Sequence, residues 1–186
     1  MLNRLVLGGL AALVALPAYA TPFVSVSADV GRNGQWTISA LNDDQGRLAA
    51  CGMTATEGDV TLSFMQFKSI RQRSSLALLH VPNPPATATV GITDSNSGEL
   101  LMTLPAQQTR FLNEQGNLRP PEEQSLGARL EVGALLRLMV ATLSDRSRTM
   151  HMVTVTVGSR GFPLDILGAG DAIYNLDTCV RDAPPP

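Results

Sequence analysis

The sequence predicts a mainly β protein: an antiparallel, sandwich-like domain with one or two short helices in its C-terminal third, and α+β as the variant. Three observations carry this. Short segments alternate apolar and polar residues with a period of two, turn-forming clusters separate them at near-even spacing, and helical periodicity first appears after position 128.

The chain opens on a segment that is expected not to belong to the fold. A basic start (Asn3, Arg4), an apolar run over 5–16 and the small-residue site Ala18-Tyr19-Ala20 match a secretory signal peptide, so residues 1–20 are read as a leader and Thr21 as the mature N-terminus. The expected organisation is then a single β-rich domain over 21–182 and an extended Pro-rich tail over 183–186. A protein with this leader is expected in the periplasm or secreted.

Over 23–30, Val24, Val26, Ala28 and Val30 alternate with Ser25, Ser27 and Asp29, the pattern of a half-buried strand, and Gly31-Arg32-Asn33-Gly34 supplies a turn. A second strand over 35–41 carries the only tryptophan, Trp36, before the turn cluster 42–46. A third, over 47–54, contains Cys51, and Glu57-Gly58-Asp59 ends it. The stretch 60–67 then sets Val60, Leu62 and Phe64 against Thr61 and Ser63. Further strands are expected over 76–81, stopped by Pro82-Asn83-Pro84-Pro85, over 86–93, stopped by Asp94-Ser95-Asn96-Ser97-Gly98, and over 99–104.

The composition turns polar over 105–124, which reads as a long exposed loop. Between 128 and 143 the period changes, and Val132, Leu135, Leu136, Met139 and Leu143 form one apolar stripe of a helix. The strongest strand follows over 149–157, then a turn at Gly158-Ser159-Arg160-Gly161 and a partner strand with Phe162, Leu164 and Ile166. A final helix aligns Ala172, Ile173, Leu176 and Val180.

The chain has two cysteines, Cys51 and Cys179, 128 positions apart. Outside the cytoplasm such a pair is expected to form a structural disulfide tying an early strand to the last helix. Free thiols or a redox pair are the alternatives, but a redox pair usually places its sulfurs two residues apart near a helix start.

Composition excludes several function classes. Removing Arg4 with the leader leaves 13 basic residues against 16 acidic, with no block of like charge, which argues against nucleic acid and anionic membranes. After the leader no stretch approaches the roughly 20 apolar residues of a membrane span. The two histidines, His80 and His151, lack a second ligand at metal spacing and are expected to be strand residues that face solvent or make one hydrogen bond. No Gly-x-Ser-x-Gly elbow is present, and Gly158-Ser159-Arg160-Gly161 is explained as a hairpin turn. Gly168-Ala169-Gly170-Asp171 is too short for a nucleotide signature and reads as a helix start, so no cofactor is expected. The acid pairs Asp43-Asp44 and Glu122-Glu123 read as solvated turn residues. The aromatics Trp36, Phe64, Phe67, Phe111, Phe162 and Tyr174 read as core packing, and Trp36 precedes both cysteines, against the immunoglobulin order.

Taken in order, Gly34-Gln35-Trp36-Thr37-Ile38 on an early strand, Cys51 on the next, an apolar helix, a Val/Thr-rich strand, and a closing run of Phe162-Pro163-Leu164, Gly168, Ala172-Ile173, Leu176 and Cys179 resemble exported proteobacterial proteins of the invasion-associated locus B type. The family's central cysteine segment has no counterpart between Val60 and Leu164. The resemblance implies a compact, sandwich-like exported protein and brings no catalytic residues with it.

Three functions are compatible with these residues. The leading one is a non-enzymatic exported protein that binds a macromolecule, foremost another protein of the envelope or host. The second is an inhibitor or immunity protein that occludes an envelope-degrading enzyme, with the 107–124 loop as its contact. The third is a secreted hydrolase whose site is gathered from distant residues.

Overall fold

The computed structural model describes residues 28–33, 35–42, 47–67, 74–109, 124–130, 132–143 and 150–182. The protein is mainly β, as its alternation predicts. Its strands are β1 (Ala28–Asn33), β2 (Trp36–Asn42), β3 (Leu48–Glu57), β4 (Val60–Phe67), β5 (Ser74–His80), β6 (Thr87–Asp94), β7 (Leu100–Thr109), β8 (Ser125–Leu130), β9 (Met152–Val157) and β10 (Arg160–Asp165). The helices α1 (Val132–Leu143) and α2 (Ala169–Asp182) both fall in the C-terminal third.

All these strands pair antiparallel into one sheet, in the order β1-β2-β3-β4-β5-β8-β7-β6-β9-β10, rather than into two separate sheets. The right-handed twist of a sheet this wide coils it. The end of β10 therefore reaches β2 and β3 near the opposite edge: Gln35 N–H donates to Leu167 O at 3.3 Å, and Trp36 Nε1–H donates to Ile166 O at 3.2 Å. β10 also touches β3 directly. One apolar core fills the inside of this coil. It joins Trp36, Met53, Leu62 and Phe64 from one end of the sheet with Val90, Ile92, Val153 and Val155 from the other. α2 lies against β2 and β3 and adds Ala172, Ile173, Leu176 and Val180 to that core, the face its spacing predicts.

Several boundaries differ from the sequence reading. β1 runs through Gly31 to Asn33, so Gly31 is a paired strand residue opposite Ile38 rather than part of a turn, and a register shift between Asp29 and Gly31 leaves Val30 as the extra residue of a bulge. β7 continues past Pro105 to Thr109. β8 reaches only Gln107–Thr109, so at Pro105 the ladder has a neighbour on one side alone, where the missing N–H is tolerated. β8 was hidden in the sequence: its six residues lie between β5 and β7 in the sheet, yet in the chain they run straight into the helical pattern.

α1 also turns a different face inward. Ala134, Leu135, Leu138 and Thr142 are buried, whereas Leu136 is 54 % and Val140 61 % exposed. Arg137 is the only charged residue of α1, so apolar periodicity does not distinguish its faces. The proposed leader, the tail at 183–186, residues 23–27, most of the 42–46 turn, the pairs Asp43-Asp44 and Glu122-Glu123, Phe111 and the loop residues 110–123 lie outside the described residues.

The hairpin glycines sit where their turns require positive φ. Gly158, between β9 and β10, has φ 62° and open space around a would-be Cβ. Gly158→Ala is therefore a backbone effect alone, expected to cost about 1 kcal/mol. Urea denaturation checks it, and an unchanged midpoint would contradict the assignment.

Candidate functional site

The Cys51–Cys179 disulfide forms. Cys51 sits on the core face of β3 and Cys179 on α2, with Cα atoms 6.2 Å apart. It fastens the last helix to the sheet and removes both sulfurs from nucleophilic chemistry.

His151 takes the second of its two expected roles, a polar side-chain contact rather than a solvent-facing position. It precedes β9 rather than lying within it, and it is 2 % exposed rather than solvent-facing. Its Nε2 lies 2.8 Å from Asp94 Oδ2. Its backbone N–H donates to Asp165 Oδ1 at 2.9 Å, and its carbonyl accepts from Ile166 N–H at 2.8 Å. A second carboxylate is thus adjacent, but through the main chain.

Both aspartates organise backbone. Asp94 Oδ1 accepts from Asn96 N–H (2.8 Å), Ser97 N–H (2.7 Å) and the Ser97 hydroxyl (3.1 Å), closing the turn between β6 and β7. Asp165 Oδ1 also accepts from Leu167 N–H, and Asp165 N–H donates to Glu57 Oε2 at 2.8 Å, tying β10 to β3. The cluster is a polar seam at one pole of the coiled sheet, with Asp94, His151 and Asp165 buried and Glu57 exposed.

Sequence reading did not single out Asp94 or Asp165. The Asp-Ser-Asn-Ser-Gly run was a legible Asx-turn signal for the first, and an aspartate inside an apolar strand was a signal for the second.

The Ser97 N–H, ahead of the Asn96 N–H, the Ser97 hydroxyl and the neighbouring His151, holds the Asp94 carboxyl below its ordinary 3.8 despite burial. A depressed folded value means the stabilisation is present above the unfolded value and is lost as pH falls through the folded one. Asp94→Asn should thus lower stability by about 1 kcal/mol at neutral pH, and the gap from wild type should shrink below pH 3.8. Urea titrations across that range decide it. A gap that does not change with pH contradicts the account.

His80 is half-buried at the end of β5, opposite Thr61 of β4. Both line a depression of about 470 Å³ shared with Gly58, Asp59, Pro82 and Asn83. Gly158-Ser159 is the β9–β10 turn, as expected, but Arg160 reaches from it to the rim. Its Nη1 donates to Pro82 O at 2.8 Å and its Nη2 to Asn83 O at 3.1 Å.

The remaining candidates resolve simply. Trp36 stacks on Phe64 in the core, with centroids 5.9 Å apart. Phe162 is half-buried beneath the Arg160 guanidinium. Tyr174 is 64 % exposed on α2, against the core reading. Gly168-Ala169-Gly170-Asp171 opens α2, with Ala172 N–H donating to Gly168 O and Asp171 in the first turn.

Among the described residues no three or more His, Cys, Asp or Glu side chains are grouped to hold a metal ion, and no helix is long and apolar enough to cross a membrane. Comparison of the chain with protein-family models, with curated proteins and with solved structures found no match. Residue roles therefore rest on the geometry alone.

Proposed function

We propose that this is a non-enzymatic exported protein that acts by binding a macromolecule of the envelope or host. The supporting observation is the division of labour between its histidines. His151, with the carboxylates nearest to it, is sealed in the seam and holds backbone together. His80 lines an open depression with one carboxylate, Asp59, and one hydroxyl, that of Thr61, which pairs with the Thr56 hydroxyl at 3.1 Å. Export is supported by the leader over 1–20 and by the buried disulfide, which an oxidising compartment sustains.

The test presents the immobilised mature chain with separated envelope fractions: outer-membrane proteins, periplasmic proteins and peptidoglycan sacculi. Saturable retention of one fraction, without its degradation, is expected. Failure to retain any fraction at low and moderate salt would overturn the proposal.

A further inference from the structure

The depression beside His80 has the size of a small-ligand site and the lining of a polar one. Its volume of about 470 Å³ falls in the range of ligand pockets, but those are usually walled by aliphatic and aromatic side chains. Here a carboxylate (Asp59), a hydroxyl (Thr61), an imidazole (His80) and a carboxamide (Asn83) gather around one proline, Pro82.

One wall of it is set in advance. Asn83 has φ 50°, in the left-handed region that asparagine tolerates better than most residues other than glycine. Arg160 tethers this turn by donating to the carbonyls of Pro82 and Asn83, while its guanidinium lies 5.4 Å from the centroid of the Phe162 ring. A clamp reaching from the β9–β10 hairpin to the β5–β6 connection has no part in sheet pairing. It does hold the rim in one shape, which lowers the ordering cost of binding.

From the depression, polar pairs continue along β3 and β4, bordered on β5 by Leu78 opposite Ser63. Thr56 and Thr61 hydroxyls lie 3.1 Å apart, and those of Thr54 and Ser63 lie 2.9 Å apart one rank further on, with Thr37 opposite Thr54.

The chemistry of this surface selects among ligand classes. An anion would meet the Asp59 carboxylate. A metal ion would find two conventional ligands in the lining, Asp59 and His80. An apolar group would find little to bury against. A neutral polyhydroxyl ligand offers closely spaced donors and acceptors, and imidazole, hydroxyl and carboxamide each supply both. We infer that the depression binds a saccharide unit of a glycan chain, with neighbouring units lying along the Thr56–Thr61 and Thr54–Ser63 ranks. This rests on the binding reading above and names its ligand class.

The test is a titration of the isotope-labelled mature protein with chitotetraose, cellotetraose and maltotetraose at millimolar concentration, followed by backbone amide shifts. At least one of them should move the amides at 58–61 and 80–83 in a saturable way. Asn83→Gly keeps the positive φ and removes the carboxamide, and Asp59→Ala removes a charged acceptor from an exposed turn. Each should weaken binding about tenfold while the Trp36 fluorescence stays that of the folded protein. Amide shifts that are absent with all three saccharides, or that fall elsewhere on the molecule, overturn the inference. The envelope fractions separate the two levels: retention of a protein fraction by a chain that ignores saccharides overturns the glycan assignment and leaves the binding reading standing, whereas retention of nothing overturns both.

Discussion

Replacing Cys51 and Cys179 together by alanine should lower the unfolding free energy by about 3–5 kcal/mol. The disulfide closes a loop of 128 positions, for which the chain-entropy account gives close to 5 kcal/mol as its upper figure. The local surroundings add to this. Cys51 is fully buried in the core, two residues from Met53 on β3 and opposite Ala40 of β2, and α2, which packs on β2 and β3, places Leu176 and Val180 near Cys179 in the same core. Without the bond α2 keeps Leu176 and Val180 in the core, so the expected outcome is a weakened fold rather than an unfolded chain. Urea denaturation of the double variant, and of wild type with and without reductant, measures the effect. Coincident midpoints for oxidised and reduced protein would show that the bond stabilises nothing.

Trp36→Ala should cost a comparable 3–5 kcal/mol. Trp36 is 0 % exposed, stacks on Phe64, and donates through Nε1 to Ile166 O across 130 positions of sequence. It therefore fills the core and latches one edge of the coiled sheet to the other. Trp36→Phe separates these roles. Most of the packing remains, and Ile166 O still accepts from Ala169 N–H, so a loss of about 1–2 kcal/mol is expected. Calorimetry of both variants tests the order, and a phenylalanine variant as unstable as the alanine one would contradict it.

The elements that were legible in the sequence are those whose burial is decided locally. Val60, Leu62 and Phe64 alternate with Thr61 and Ser63 because one face of β4 meets the core, and the same holds for Val153, Val155 and Val157 in β9. Ala172, Ile173, Leu176 and Val180 mark the inner face of α2 because Asp171, Asn175, Asp177, Thr178 and Arg181 are polar. Legibility failed where a partner distant in sequence decides the outcome. β8 is a strand because β5 and β7 flank it, and α1 turns Leu138 inward and Leu136 outward because α2 and β7 lie on one side only.

The seam was illegible for the same reason. Asp94, His151 and Asp165 come from three segments that meet only after the sheet coils, and Glu57 joins them from a fourth. The depression is intermediate: His80 and the Pro82-Asn83 break were visible as residues, but the reach of Arg160 to that break belongs to the folded molecule.

Under the export proposed above, an oxidising compartment sustains the Cys51–Cys179 bond, which ties the last helix to the sheet and leaves neither sulfur free for chemistry. The bond's most direct measurement is alkylation of the full-length chain produced with its leader and recovered from the periplasm under native conditions. The account predicts that neither Cys51 nor Cys179 is labelled until the protein is denatured and reduced. Rapid labelling of both sulfurs in the native exported protein would contradict it.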